Sequence, residues 1–245
     1  GVLIVEGAAE ALLLPTLADK IGRPLTKHGV SIVNVGHVGL FRYARIFQRN
    51  SRPHLKASVA CLADRDLPPT EARGLIKKDR KTEADLTPEE IDEHIKKRKA
   101  NDADPVTTYV SPTWTFEYDL AATPLAPWVH AAISLAKKAK QTDKPLPTGE
   151  QAKELIKQAK QEVQTWTEEE LGETTIACQI YEPLVKKQAS KPETAQALAH
   201  ILNQDKHAPD WTEEEWRERL PDYLVAAIDH ATNKTEQPPA EDEGD

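Results

Sequence analysis

The stretch Val2-Leu3-Ile4-Val5-Glu6-Gly7-Ala8-Ala9-Glu10 decides how this chain is read. A short apolar run with the composition of a buried strand ends in a carboxylate. Gly7 then supplies a turn, and Glu10 falls on a helix predicted over residues 9–21, with Leu12, Leu13 and Leu17 on one side. The same pattern returns at Ala57-Ser58-Val59-Ala60-Cys61-Leu62-Ala63-Asp64-Arg65-Asp66, an apolar run closing on two acids. Residues i and i+2 of an extended chain share a face, which points Asp64 and Asp66 at one spot. Carboxylates delivered from the ends of different strands make an oxygen-rich pocket suited to a hard divalent cation such as Mg²⁺.

Between these stretches lies a further strand, predicted over residues 30–35 and bracketed by Gly29 and Gly36, and then a helix over 40–47 with Phe41, Ala44 and Phe47 at helical spacing. Short apolar runs alternating with helices imply an α/β fold, a mostly parallel sheet covered by helices. Ligands of such sheets gather at the carboxyl ends of the strands, where Glu6, Asp64 and Asp66 fall. Residues 67–104 are polar and charged and read as a helical excursion, with a capping box at Thr87-Pro88-Glu89-Glu90. A fourth strand follows near residues 107–110, and Thr113-Trp114-Thr115-Phe116-Glu117 runs into the next helix. Further capping boxes at Thr148-Gly149-Glu150-Gln151 and Thr212-Glu213-Glu214-Glu215 open amphipathic runs. The expected organisation is a catalytic domain over 1–139 carrying the excursion, a linker over 140–147, an additional helical domain over 140–232, and a disordered acidic tail over 233–245.

The composition narrows the function classes. Forty acidic residues against 32 basic ones give a net charge of −8, which by default disfavours nucleic acid. Part of that charge is the candidate metal site, whose ions offset it, and positive charge is dense at Lys77-Lys78-Asp79-Arg80-Lys81 and Lys96-Lys97-Arg98-Lys99. Most such basic runs are solvated helix faces. The two cysteines, Cys61 and Cys178, have no neighbours at zinc-ligand spacing, so Cys61 is read as a small core residue in a reducing, cytoplasmic protein. No apolar run approaches the length of a membrane helix and no cleavable leader is visible. The chain has no methionine and opens directly into a strand, as a piece of a longer protein would. It contains no GxxxxGK[ST], GxSxG or HExxH motif. His37, after the second strand, is read as an ordinary loop histidine.

Glu6-Gly7 after one strand and Asp64-Arg65-Asp66 after another resemble the Toprim domain of topoisomerases, primases and several nucleases. The longer stretch from Val5 to Pro15 is similar to the OLD (overcoming lysogenisation defect) nucleases. So are Ser111-Pro112-Thr113-Trp114-Thr115-Phe116-Glu117-Tyr118-Asp119-Leu120 and Ser190-Lys191-Pro192-Glu193-Thr194-Ala195-Gln196-Ala197-Leu198-Ala199. The similarity covers residues 2–120 and 190–202. It implies that Glu6, Glu10, Asp64, Asp66 and Glu117 are metal ligands for two Mg²⁺ or Mn²⁺ ions, with Ca²⁺ able to occupy the sites without turnover. It also implies that Lys191 is a catalytic lysine alongside Glu6 and Asp64, that DNA is the substrate, and that an amino-terminal ABC-type ATPase belongs to the same full-length protein. The chain departs from the family at Pro192, where members often carry Gly, which leaves Lys186 and Lys187 as nearby alternatives.

The residues favour Lys191 independently. Ser190 and Glu193 have capping spacing and Pro192 suits a first helical turn, so Lys191 sits at a helix start. A cation is disfavoured there unless both it and the helix end face a phosphate. Thr115 is expected to add a hydrogen bond or minor ligand beside Glu117. The expected function is metal-dependent DNA endonuclease. Its rivals are a topoisomerase- or primase-like phosphotransfer module and a DNA-binding or regulatory module that does not cut. Tyr109, Tyr118, Tyr181 and Tyr223 stand in no recognisable nucleophile motif.

Overall fold

A computed structural model describes residues 1–36, 39–49, 51, 55–204 and 206–233. His37 and the acidic tail beyond Asn233 lie outside the described residues. Four strands, β1 (Val2–Val5), β2 (Ser31–Asn34), β3 (Val59–Ala63) and β4 (Val106–Val110), form one parallel sheet in the order β2-β1-β3-β4. Val5 is level with Asn34 on one side and Leu62 on the other, and Ala63 with Val110, so the carboxyl ends make one edge. The chain passes from β1 outward to β2 and then returns across β1 to β3. Neighbouring connections therefore diverge between β1 and β3, which opens a crevice at their carboxyl ends.

Both faces of the sheet are covered, which is why β1 and β3 read as continuous apolar runs. Leu3, Val5, Ala60 and Leu62 enter the larger core with α1 (Ala8–Lys20) and α10 (Asp222–Thr232). Ile4, Val59, Cys61 and Ala63 face the other way and pack against α2 (Leu40–Ala44). Cys61 is fully buried in that second core, as expected of a small apolar residue. At the edge, β2 leaves Ser31 and Asn34 exposed.

The excursion over 67–104 is less helical than its charge pattern predicts. It holds two short 3₁₀ turns, Thr70–Gly74 and Glu83–Asp85, before α3 (Pro88–Arg98), whose Thr87–Glu90 capping box forms as expected. After α4 (Phe116–Ala121), α5 (Ala126–Thr142) runs past residue 140, so the irregular connection begins at Asp143. At α6 (Gly149–Glu168) the predicted cap is not made: Thr148 accepts no amide, and Gly149 enters at φ +60°. The Thr212 box at α9 (Glu213–Arg219) is present. Next along the chain from α6, α7 (Glu173–Val185) carries Tyr181, and α8 (Lys191–Leu202) packs on α1 and α5 through Ala195, Leu198 and Ile201. That packing brings the start of α8 to the sheet edge. Among the described residues no helix is long and apolar enough to cross a membrane.

Candidate metal centre

Each acid reaches the crevice by a different local device. Glu6 is the first residue after β1. Gly7 has extended backbone (φ −145°, ψ 178°) as the residue before α1, so its value here is space rather than a left-handed turn. A Cβ on Gly7 would lie 3.1 Å from Glu10 Oε2, which folds back over the helix start from within the first turn. Asp64 follows β3 and its carboxylate accepts the Phe116 backbone N–H at 2.9 Å, clasping the start of α4. Thr115 caps α4, accepting from Tyr118 N, and its hydroxyl lies 3.0 Å from Tyr181 Oη and 3.3 Å from Glu117 Oε2. Glu117 is thereby held inward, with 4% of its side chain exposed.

Lys191 completes this half of the site. Its Nζ lies 2.7 Å from Glu117 Oε2 and 3.8 Å from Asp64 Oδ2. The Ser190 hydroxyl accepts the Glu193 N–H, and Pro192 occupies the first turn, so the helix start forms as its capping residues predict. An open pocket of about 370 Å³ is lined by residues 6–10, Asp64, Lys191 and Pro192.

Asp66 departs from the expectation that it shares a face with Asp64. The strand ends at Ala63, and Asp66 lies in the left-handed region at φ +59°, where alternation of faces no longer holds. Its carboxylate meets Arg98 Nη2 at 2.7 Å, and Arg98 Nη1 lies 3.8 Å from Glu6 Oε1. The predicted ligands thus fall into two groups, Glu10, Asp64 and Glu117 around Lys191, and Glu6 and Asp66 around Arg98. With these cations interleaved, no group of three or more His, Cys, Asp or Glu side chains stands ready as a metal-binding set among the described residues.

The donors nonetheless fit a hard divalent ion. All are carboxylate oxygens, and Glu117 Oε1 is buried with no hydrogen-bond partner while Oε2 meets Lys191. A buried carboxylate oxygen without a donor is costly unless a cation can approach it.

Several residues that hold this geometry have no role assigned to them from the sequence. Arg65, between the two aspartates, is 6% exposed; it donates to the Pro112 carbonyl and pairs with Glu83 at 2.6 Å. It ties the turn before α4 and the excursion to one strand end. Asp119 accepts from the Ser111 hydroxyl at 2.5 Å and from Trp114 N at 3.3 Å, which shapes the turn that presents Glu117. The buried Tyr223 hydroxyl, at the start of α10, has no partner and lies in the field of Asp119, Asp64, Glu10 and Glu117. Ser111 and Asp119 both fall in the stretch that is similar to the OLD nucleases, but nothing in the sequence reveals their bond.

Crowding and burial shift the titrations together. Burial, with Asp66 and Glu10 nearby, pushes Glu6 up to about 7 against the opposing pull of Arg98 and the Asp64 N–H. Burial raises Asp64 well above the usual range, Lys191 opposing and Glu117 and Glu10 adding to the rise, and burial and Glu117 raise Glu10. Burial also brings Asp119 to about 7. At Lys191 burial disfavours the charge, but Glu117, Tyr181 and Asp64 prevail and hold it protonated. A carboxyl with a raised folded pKa stabilises the fold below its unfolded value and loses that contribution as pH climbs through the folded value. The metal-free protein should therefore melt lower at pH 8 than at pH 5.5, by on the order of 5 °C. His130, whose pKa burial lowers, works the opposite way and is outnumbered. Saturating Mn²⁺ should narrow the gap in the same thermal melts, and a melting point that rises with pH would contradict this balance.

The family profile "Overcoming lysogenization defect protein-like, TOPRIM domain" matches residues 1–66. The carboxy-terminal region of the Xanthomonas campestris pv. campestris OLD protein, in the structure phased with iodine, is 25% identical, with 95% of this chain and 93% of that one covered at a TM-score of 0.50. The carboxy-terminal region of the Burkholderia pseudomallei OLD protein is 18% identical and shares the fold, with 95% and 96% covered at a TM-score of 0.50. A comparison with curated proteins finds no significant match. Residues 1–66 match the Toprim domain of OLD-like proteins, within a chain that has the fold of OLD carboxy-terminal regions.

Proposed function

We propose that this chain is the catalytic region of a divalent-metal-dependent DNA endonuclease. The observation that carries the reading is the meeting of Glu10, Asp64, Glu117 and Lys191 in the crevice between β1 and β3. Glu10, Asp64 and Glu117 form one ligand group for Mg²⁺ or Mn²⁺, and Glu6 with Asp66 forms the other. Bound there, two such ions would supply charge stabilisation at the phosphoryl oxygens and make water more acidic. Lys191, kept protonated and aimed by Glu117 and Asp64, neutralises charge that grows on the phosphate in the transition state. Glu6, the first residue after β1 and part of the pocket lining, is the carboxylate we assign to take a proton from attacking water as the 3′ oxygen leaves.

The tyrosines argue against a topoisomerase-like step within this chain. Tyr181 Oη is turned to Thr115, and Tyr118 is buried against Trp114 and Tyr181. Within the chain we assign catalysis to residues 1–139, with residues 140–232 as the helical unit that delivers Lys191. The solved relatives are carboxy-terminal regions of OLD proteins, which supports reading this chain as the corresponding part of a longer protein, and the sequence resemblance supports an amino-terminal ABC-type ATPase as its partner domain. The buried, unpaired cysteines suit a cytoplasmic setting.

The purified chain should nick or linearise supercoiled plasmid with Mg²⁺ or Mn²⁺, and fail with Ca²⁺. It should need no ATP, since it contains no phosphate-cradling GxxxxGK[ST] loop. A gel assay with each ion, with and without ATP, tests this. Cutting that depends wholly on ATP, or no cutting with either ion, would count against it.

A further inference from the structure

The helix α3 is half-buried along Ile91, His94, Ile95 and Arg98, the i, i+3, i+4 and i+7 positions of one face, and none of its residues is fully buried. Lys96, Lys97 and Lys99 are exposed, so the basic run divides: three lysines are a solvated face and Arg98 is not. His94 Nε2 lies 2.6 Å from the Arg65 carbonyl, and Arg98 reaches Asp66 at 2.7 Å and Glu6 at 3.8 Å. Asp66 is held from a second side as well, since Arg80 donates to its carbonyl at 3.0 Å.

We propose that Arg98 is an exchangeable counter-ion, holding Glu6 and Asp66 in the metal-free protein and giving them up when a divalent cation binds. The inference rests on the reading that these acids bind metal. A guanidinium within 4 Å of both carboxylates and a dication on the same oxygens repel each other strongly in a partly buried site. The two occupants therefore compete. Arg98 is the last residue of α3, so releasing the acids unties the carboxyl end of the helix and lets it fray, while the Thr87–Glu90 capping box still holds its start. Metal loading of the Glu6 and Asp66 group is thereby coupled to the position of the excursion beside the pocket.

The test is Mn²⁺ titration by calorimetry of the wild type, Arg98→Gln and Arg98→Lys. Arg98→Gln should bind one Mn²⁺ about tenfold more tightly, the factor that a competitor occupying the site ~90% of the time removes. Arg98→Lys, which keeps the charge, should stay near wild type. Hydrogen exchange of residues 88–98 supplies a second readout that needs no variant: protection should fall in the wild type on adding Mn²⁺. Equal or weaker Mn²⁺ binding by Arg98→Gln, or unchanged protection at saturating Mn²⁺, overturns the exchange and leaves the metal reading standing. Failure of all three proteins to bind Mn²⁺ overturns both.

Discussion

Asp64→Asn should reduce DNA cleavage on the order of 10³-fold, the upper end of what loss of one preorganised charged group costs, while the protein stays folded. The substitution removes an anionic oxygen from the group formed with Glu10 and Glu117 but keeps an acceptor for the Phe116 N–H, now 2.9 Å from Oδ1. Asp64→Ala removes both. It leaves a first-turn amide of α4 without its partner in a buried position, a loss of about 1–3 kcal/mol. The two variants thus separate chemistry from stability, and both should be equally inactive while only the alanine melts lower. At Asp66 the asparagine is again the cleaner change, because a left-handed residue becomes strained as alanine. Plasmid cleavage with Mn²⁺ titration and a thermal melt decides the matter, and a folded Asp64→Asn protein that cuts at the wild-type rate would remove Asp64 from the site.

The asymmetry between the two aspartates marks where the sequence stops being readable. Strand ends were legible because a parallel sheet buries both faces, so Val2–Val5 and Val59–Ala63 stand out as apolar runs closed by acids. Helix starts were legible wherever a side chain caps its own backbone, as at Thr87, Ser190 and Thr212, since that signal is local. Thr148 shows the limit: the same spacing makes no cap when the backbone enters left-handed. The left-handed turn at Asp66 could not be read, because Asp adopts it without the signature a glycine gives. Nor could Arg98, whose neighbours in the chain are three solvated lysines. Its role depends on which side of α3 faces the sheet edge, and that is fixed by contacts to residues more than thirty positions away.

Lys191→Ala should lower the cleavage rate 10²–10³-fold with divalent-ion affinity undiminished. An ammonium ligates no cation, and its removal takes a positive charge away from Glu117 and Asp64, so nothing in the change weakens metal binding. What is lost is a donor that acts on charge present only in the transition state, so the rate at saturating DNA should fall rather than binding alone. Lys186→Ala and Lys187→Ala serve as controls close in sequence. Lys186 pairs with Glu182 one turn back on α7, and Lys187, at φ +55°, uses its carbonyl to accept from Lys140 Nζ at 2.6 Å. Neither reaches the acids through any ion pair seen among the described residues, so each should keep cleavage within about threefold of wild type, the scatter expected of surface substitutions. The Gly-to-Pro departure after Lys191 is accommodated because Pro192 sits in the first helical turn, where its missing N–H has no intrahelical partner to lose. Single-turnover cleavage by the three variants, with Mn²⁺ affinity measured alongside, tests the assignment. A Lys191→Ala protein that cuts normally while either control is inactive would move the catalytic cation to the end of α7.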